Sequence, residues 1–417
     1  MATPILRDFQ QRDLVADVTA PAEFAAHLAE APRLIYVGFD PTADSLHVGN
    51  LVPLLGLRRF QLAGHRPIVL VGGGTGLIGD PSGKAGERAL SPQEQVAAAA
   101  ARLKAQVRRF LDFDRGPHAA LLVDNYEWLS KLEVIPFLRD IGKHFGVGAM
   151  VARESVRARL GTGISFTEFS YQVLQAYDFL ALHERYGCTA QMGGSDQWGN
   201  ITAGTELIRK VRGAAAYGLT LPLVAKADGT KFGKTESGTV WLDPARTSAY
   251  EMYQFWLNTP DSDVVRFLKT FTFLPIEEIE ALGRLVAEAP EKREAQRVLA
   301  AEVTGLVHGP SAVEEAERIS RALFSGDVSS LSERDLTEAL RTIPSTRVPA
   351  ANGAVLVTEA LLATGLASSR RAARELIATG AIQVNGERVR DTAREITGRA
   401  LIRKGKTTYV GVEVTPA

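Results

Sequence analysis

The sequence predicts an α/β chain: a domain built on a parallel sheet, then a stretch of helices, then a small α+β domain. Three observations carry that expectation. A run of β-formers, Leu34-Ile35-Tyr36-Val37, stops at Gly38, and a second apolar run, Pro67-Ile68-Val69-Leu70-Val71-Gly72, follows it after one helix-like segment. Strand, helix and strand at this spacing form a βαβ unit, which makes a parallel sheet covered on both faces. Strand patterning then ceases from about residue 248, and a mixed pattern resumes over the last 65 residues around an Asn385-Gly386 turn.

Taken in order, residues 14–30 read as a helical lead-in to the first strand. Beyond Gly38 a loop punctuated by Pro41, Asp44 and Ser45 leads into a helix from about Asn50, with Leu51, Leu54, Leu55, Leu57 and Phe60 at helical spacing and Gly64 as its C-terminal cap. Pro53, in the first turn, removes only a donor that is unpaired there. The loop brings His47-Val48-Gly49-Asn50 to the helix mouth, where unpaired N–H groups and the positive dipole end suit phosphate, and an imidazole adds a donor. A long helix is expected over Ser91–Phe113, a third strand over Ala119–Asp124 with Asn125 opening the next loop, and helices around 131–143 and 165–186. A short strand near Thr189–Met192 and a helix near 199–212 follow.

The expected segments are a Rossmann-like parallel-sheet domain over 1–225, a mobile loop and connector over 226–247, and a helical domain over 248–324. Residues 325–352, rich in Ser, Thr, Pro and Asn, read as a linker, and 353–417 as the α+β domain. Helices are placed near 355–363 and 369–379, with β pieces at Ile382-Gln383-Val384 and Thr408-Tyr409-Val410.

Composition narrows the function classes. The chain has 417 residues, 45% of them hydrophobic, enough for a real core. No run of eighteen apolar residues occurs and the N-terminus is charged, so neither a membrane span nor an export signal is expected. One cysteine, Cys188, excludes an intrachain disulfide and a Cys-rich metal site, and fits a reducing cytoplasm. The net charge is +0, but residues 351–417 hold ten Lys/Arg against six Asp/Glu. Arg370, Arg371 and Arg374 share one helix there, with Lys404 and Lys406 further on, the kind of cluster that neutralises RNA phosphates; a plain α/β appendage is the alternative.

Gly72 to Lys84, GGGTGLIGDPSGK, contains the dinucleotide pattern Gly74-x-Gly76-x-x-Gly79 after a strand. The pattern needs a helix opening across its third glycine, whereas Asp80-Pro81-Ser82-Gly83 continues the loop. A P-loop fails too, because Ile78 stands where its first glycine belongs and Ala85 follows Lys84. Asp80 keeps its interest, since a carboxylate at a strand end faces the ligand crevice of an open α/β sheet.

Tyr171, Gln175 and Asp178 lie at i, i+4 and i+7, one line along one helix face. A solvated stripe is the bland alternative, but such stripes are built of Lys and Glu. A buried phenol, amide and carboxylate row is costly unless it binds something polar. Gln191 to Asn200, QMGGSDQWGN, offers glycines for close ligand approach and Asp196 for ribose hydroxyls; simple N-capping by Ser195 or Asp196 is the alternative. In Asp228 to Gly238, DGTKFGKTESG, lysines on a flexible loop can close over a polyphosphate, although a solvated surface loop is the default.

PTADSLHVGN and KFGKT resemble the two signature motifs of class I aminoacyl-tRNA synthetases. With YVGFDPTADSLHVGN, SFTEFSYQVLQAYDF and GGSDQWGNITAG, the whole chain resembles bacterial tyrosyl-tRNA synthetases, including a C-terminal S4-like RNA-binding domain. The second signature histidine is Asn50 here, and the second motif centres on Phe232-Gly233. The resemblance implies a catalytic first domain, an anticodon-binding helical domain, a homodimer, and L-tyrosine, ATP and tRNA(Tyr) as partners. Mg2+ is carried with ATP and no metal is tightly bound. Tyr36 and Asp178 would take the phenolic hydroxyl; Asp80, Tyr171 and Gln175 the ammonium. Gln197 would lie by the carboxylate, Asp40 near the α-phosphate, and Gly194 and Asp196 on the ribose. Thr42 and His47, with Lys231, Lys234 and Thr235, would grip the phosphates; Gly38, Gly49 and Asn50 are further ATP positions. Lys84 and Arg88 would approach phosphate and acceptor RNA. A tryptophanyl-type synthetase and a non-catalytic RNA-binding paralogue are the alternatives. An ionised carboxylate needs no general base, so positioning and charge stabilisation suffice for its attack on phosphorus.

Overall fold

The computed structural model describes residues 4–82, 90–157, 159, 161, 163–225, 232–235, 238–325, 328–405 and 408–416. The chain divides into two compact units, Met1–Arg246 with Pro260–Ala295, and Thr247–Thr259 with Gln296–Ala417. The helical stretch expected to be one domain over 248–324 is therefore shared between them. Asp261–Phe271 and Ile276–Glu288 stay with the first unit, where Arg12 donates to the Leu274 carbonyl (2.7 Å) and Phe232 stacks on Phe271 with ring centroids 5.2 Å apart.

The first unit holds a six-stranded sheet. Its strands are β1 (Asp17–Val18), β2 (Leu34–Phe39), β3 (Arg66–Val71), β4 (Leu121–Asp124), β5 (Ala190–Gly194) and β6 (Tyr217–Leu221), in the order β1-β6-β5-β2-β3-β4. All pairs are parallel except the edge pair β1–β6. Chain order runs β2, β3, β4 to one side and β5, β6 to the other, so the crevice of an open α/β sheet falls at the C-terminal ends of β2 and β5. The Val48–Leu62 helix links β2 to β3, and the Phe166–Tyr186 helix precedes β5. Phe166–Tyr186 is capped by Ser165 and closed by Gly187 at φ 72. Its Phe179 and Leu182 pack in a buried cluster with Tyr36, Ile68, Leu70 and Val123 from the strands.

Several expectations need correction. The lead-in expected over 14–30 holds strand β1 and one helix, Pro21–Glu30, and a further helix, Pro4–Gln11, precedes it. The Ser91–Phe113 helix is shorter, Gln93–Val107. Residues 131–143 do not form one helix: Val134–Pro136 gives way to a π turn, Phe137–Ile141, and a 3-10 turn, Gly142–His144. Strand β6 was not expected; its five residues are all buried, but Gly218 and Thr220 interrupt the apolar run that signals a strand. Gly218 has its own reason, since a Cβ there would lie 2.4 Å from Ile201 Cγ2. Pro53 sits in the second turn of a helix starting at Val48, so it deprives the Gly49 carbonyl of its N–H partner.

In the second unit, Ala249–Leu257 opens with a Ser248/Glu251 capping box, and Pro310–Ser325 packs beside it, Gln254 donating to Ser320 (3.2 Å). The linker expected over 325–352 is corrected. It contains a helix, Glu333–Thr342, boxed by Ser332 and Asp335, and a strand, Ser345–Ala350, running parallel to Thr408–Pro416. Capping residues supplied the Ser-rich look, and the strand's partner lies some sixty residues on. The helices Val357–Ala363 and Arg370–Ala378 cover a five-stranded sheet whose core includes Leu361, Ile377, Ile382 and Ile402. Asn385 and Gly386 both have positive φ, 49° and 85°, as the tight turn joining Ile382–Val384 to Glu387–Arg388 requires.

Candidate active site

A cavity of about 350 Å³ opens at the C-terminal ends of β2 and β5. It brings together Tyr36, Gly38 and Asp40 from β2 and its exit, and Thr42, His47 and Asn50 from the loop and helix start. Asp80, Tyr171, Gln175 and Asp178 line it from the other side, with Gly194, Asp196 and Gln197 below β5. Gly49 is not part of the lining, but its N–H donates to His47 Nδ1 (3.1 Å).

At the closed end, Asp178 is 1% exposed. Its carboxylate accepts Trp128 Nε1–H on Oδ1 (2.7 Å) and Asn125 Nδ2–H on Oδ2 (2.9 Å). Burial pushes its pKa up to about 8, against the lowering effect of those two donors, and the Asp40 and Asp124 charges add to the rise. Tyr36 is fully buried, with its pKa well above the ordinary value through desolvation and then the Asp178 charge. Its Oη has no hydrogen-bond partner among the described residues, and neither has Gln191 Oε1, a second buried atom of the cavity wall. Such atoms are costly unless a ligand meets them.

In the middle, Tyr171 Oη donates to Asp40 Oδ2 (2.7 Å), and burial raises its pKa well above the ordinary value, so a neutral phenol presents its remaining lone pair. Asp80 accepts Ser82 N–H on Oδ1 (2.9 Å) and Gln197 Nε2–H on Oδ2 (2.7 Å). Gln175 Oε1 accepts from Asn200 Nδ2 (3.0 Å). Asp40 is held on its other oxygen by Thr75 Oγ1 (2.7 Å), which in turn accepts from Asn125 Nδ2 (2.9 Å). A continuous chain of hydrogen bonds thus runs from Trp128 through Asp178, Asn125, Thr75 and Asp40 to Tyr171. The glycines after β3 make room for it. A Cβ on Gly72 would sit 1.9 Å from Asp40 Oδ1.

At the open end, His47 is the N-cap of the Val48–Leu62 helix. Its Nδ1 accepts from Gly49 N–H, so the neutral ring carries its proton on Nε2. Asn50 Oδ1 accepts the His47 N–H (3.0 Å), closing a capping box. The expected phosphate-gripping flexible loop is partly described and contains a short hairpin, Lys234–Thr235 pairing with Gly238–Thr239, while the Lys234 and Thr235 side chains and all of Lys231 lie outside the described residues, as do Lys84 and Arg88.

Asn125, Trp128, Thr75, Gln191 and Asn200 were not singled out from the sequence. Asn125 carried a faint signal as the first polar residue after a strand; Trp128 carried none. In the tail, Arg371 and Arg374 are exposed on the Arg370–Ala378 helix, while Arg370 pairs with Glu359 (2.8 Å). Lys404 donates to the Leu366 carbonyl (2.7 Å), and Lys406 lies outside the described residues.

Comparison with known proteins identifies the family. The family model described as tRNA synthetases class I (W and Y) matches residues 29–325, and the one described as Tyrosine--tRNA ligase SYY-like C-terminal domain matches residues 335–412. The chain is 57% identical to the Tyrosine--tRNA ligase of Geobacillus kaustophilus (strain HTA426), over 97% of this chain and 98% of that one. It is 51% identical to Tyrosine--tRNA ligase 1 of Bacillus subtilis (strain 168), over 98% of each chain. The crystal structure of a C-terminally truncated Aspergillus nidulans mitochondrial tyrosyl-tRNA synthetase matches with a TM-score of 0.69 at 32% identity, covering 77% of this chain and 94% of that one. Similarity of this extent, over both the sheet unit and the tail, places the chain in the class I aminoacyl-tRNA synthetases, in the tyrosine–tRNA ligase family.

Proposed function

We propose that the chain activates L-tyrosine with Mg-ATP and transfers it to the 3′-terminal ribose of tRNA(Tyr). The observation that carries this reading is the buried pair at the closed end, Tyr36 with an unpartnered Oη and Asp178 with a carboxylate facing the same cavity. A substrate phenolic hydroxyl supplies the partner that Tyr36 Oη lacks and hydrogen-bonds the Asp178 carboxyl beside it. Phenylalanine leaves Tyr36 Oη unpartnered, which is how a site built around a hydroxyl rejects it.

The substrate ammonium is assigned to Asp80, Tyr171 and Gln175, which all line the cavity. Gln197 is assigned to the carboxylate; its Nε2 first has to leave Asp80, and that exchange accompanies binding. A tyrosine carboxylate oxygen then attacks the α-phosphorus of ATP, and the bond to the bridging oxygen breaks to release pyrophosphate. Asp196 and Gly194 hold the ribose and Asp40 lies by the reacting phosphate. The charge that builds on the leaving pyrophosphate is met by Thr42, His47 Nε2–H, Asn50 and the ammonium groups of Lys231 and Lys234, with the Thr235 hydroxyl. Gly38 and Gly49 leave space for the nucleotide. Mg2+ enters as part of the ATP substrate and offsets charge on its phosphates.

Three further parts belong to the reading. Arg370, Arg371, Arg374, Lys404 and Lys406 are assigned to RNA phosphates, and Lys84 with Arg88 to the acceptor end. A homodimer is supported by large apolar side chains left exposed on the sheet unit, Ile135 at 72%, Phe166 at 77% and Val147 at 66%. A cytoplasmic location is expected; no helix among the described residues is long and apolar enough to cross a membrane. Tyrosine-dependent ATP–pyrophosphate exchange tests the activity. Exchange that depends on tryptophan instead, or no exchange with tyrosine, would refute it.

A further inference from the structure

The loop that runs from Asp40 to His47 has open space behind it as well as in front. On the side away from the active cavity lies a second cavity of about 310 Å³, lined by Pro41, Thr42, Asp44, Gln95, Ala99 and Arg102. Thr42 lines both, so at that residue the loop is a partition between two cavities. A segment with space on each face is seated by its bonded ends more than by packing. At one end, Asp40 is held by Thr75 and Tyr171.

The other end is tied to the Gln93–Val107 helix. Gln106 Oε1 accepts the Leu46 N–H (2.9 Å), and Gln106 Nε2 donates to Ser45 Oγ (3.0 Å), which itself donates to the Leu46 carbonyl (2.8 Å). That carbonyl also accepts from Leu242 N–H (2.8 Å), so both backbone groups of Leu46 are bonded immediately before His47. One turn earlier on the same helix, Arg102 Nε donates to the Asp44 carbonyl (3.2 Å). Gln106, Ser45 and Leu46 are all buried, as are Leu103 and Val107 beside Gln106 on the helix. An apolar side chain would fill the place of Gln106 at no polar cost; what the amide adds is its two bonds to the loop.

We propose that Gln106 is a positioning residue for the ATP half of amino-acid activation. By fixing Ser45 and Leu46 it sets where His47 stands relative to Asp40, and with that the place of Thr42 between them. Thr42 and His47 belong to the phosphate side of the site. Tyr36 precedes the loop and Tyr171 and Asp178 lie on the Phe166–Tyr186 helix, so the amino-acid side does not depend on this tie. Donors that act on a phosphoryl transition state are effective only when their direction is set beforehand, and a misplacement of about 1 Å costs on the order of 100-fold. The inference rests on the proposed ligase activity and deepens it.

The test compares the full-length chain with Gln106→Met, which keeps the volume and loses both bonds, with Ser45→Ala, which removes one of them, and with the two combined. Leu103→Ala, a buried change on the same helix that removes no hydrogen bond, is the control. Tyrosine-dependent pyrophosphate exchange at varied ATP, tyrosine binding by equilibrium dialysis and thermal unfolding are measured on each. Gln106→Met should lower kcat/KM for ATP about 10- to 100-fold and Ser45→Ala about 2- to 5-fold, with the tyrosine Kd within about twofold of the parent. The double variant should lose less than the product of the two, because both act on one contact. Leu103→Ala should lower Tm, yet leave kcat/KM for ATP within about twofold. Should Gln106→Met not fold, the loss in Ser45→Ala at unchanged tyrosine affinity decides the matter. An equal loss in Leu103→Ala, tyrosine affinity falling in step with kcat/KM for ATP, or parental exchange in Gln106→Met would each overturn the proposal. A parent chain that shows no tyrosine-dependent exchange would overturn the ligase reading instead.

Discussion

Replacing Tyr36 by phenylalanine removes one oxygen from the closed end of the cavity and separates the stability of the free protein from recognition. Tyr36 is 0% exposed, and its Oη has no partner among the described residues. Burying an unpartnered polar group costs about 1–3 kcal/mol, so the free variant should be more stable than the parent, by about 1 kcal/mol once the small void left behind is counted. Bound tyrosine loses one neutral hydrogen bond, net about 0.5–1.5 kcal/mol, which is about 2- to 13-fold in affinity. Bound phenylalanine loses nothing, because Oη is as unpartnered beside it as in the free protein. The preference for tyrosine over phenylalanine should therefore narrow by the same factor. Equilibrium dialysis with both amino acids and urea unfolding of the free protein read the two halves. A variant less stable than the parent, with its preference intact, would refute the reasoning about this oxygen.

Asp178 gives a pH dependence of known sign. With its pKa raised to about 8 in the folded state, it keeps a proton that the unfolded chain releases near pH 4, so it contributes a stability that is full below about pH 4 and is lost as pH rises toward 8. Urea unfolding at pH 5 and pH 8 should show a smaller fall for Asp178→Asn than for the parent, and an equal fall would contradict the assignment. Lys231→Ala and Lys234→Ala should each slow pyrophosphate exchange by about 10²- to 10³-fold at saturating tyrosine, with the tyrosine Kd unchanged; normal rates would remove the lysines from the mechanism. Truncation after Thr342, which takes away Ser345–Ala350 together with its partner strand, should spare exchange and lower tRNA charging about 10-fold or more at 150 mM salt. Charging equal to that of the full chain would show that the basic tail does not contact RNA.

What could be read in advance was local. The β2 strand, its stop at Gly38 and the His47 helix start are encoded within some thirty consecutive residues, and the Tyr171, Gln175 and Asp178 row needs only the helical repeat. The Asn385-Gly386 turn is likewise written in two residues. What escaped was brought together from far along the chain. Trp128 and Asn125 reach Asp178 across fifty residues of sequence, and nothing near either of them marks a carboxylate partner. The segment 325–352 misled because Ser332 and Asp335 look like loop residues whether they cap a helix or float in solvent. Gly74 and Gly76 resembled a nucleotide fingerprint for a reason unrelated to nucleotide: Leu129 and Asn125 occupy the room a side chain would take at the first, Pro41 and Val96 at the second.

The parallel pairing of Ser345–Ala350 with Thr408–Pro416 bears on how the chain is made. During synthesis at about 5–20 residues per second, the earlier strand waits several seconds with one row of amides and carbonyls unpaired before its neighbour leaves the ribosome. Its outward residues include Ser345, Arg347 and Pro349, all exposed. A charge and an imino acid on a waiting edge discourage another nascent chain from adding itself there, so the strand carries its own protection while it is alone.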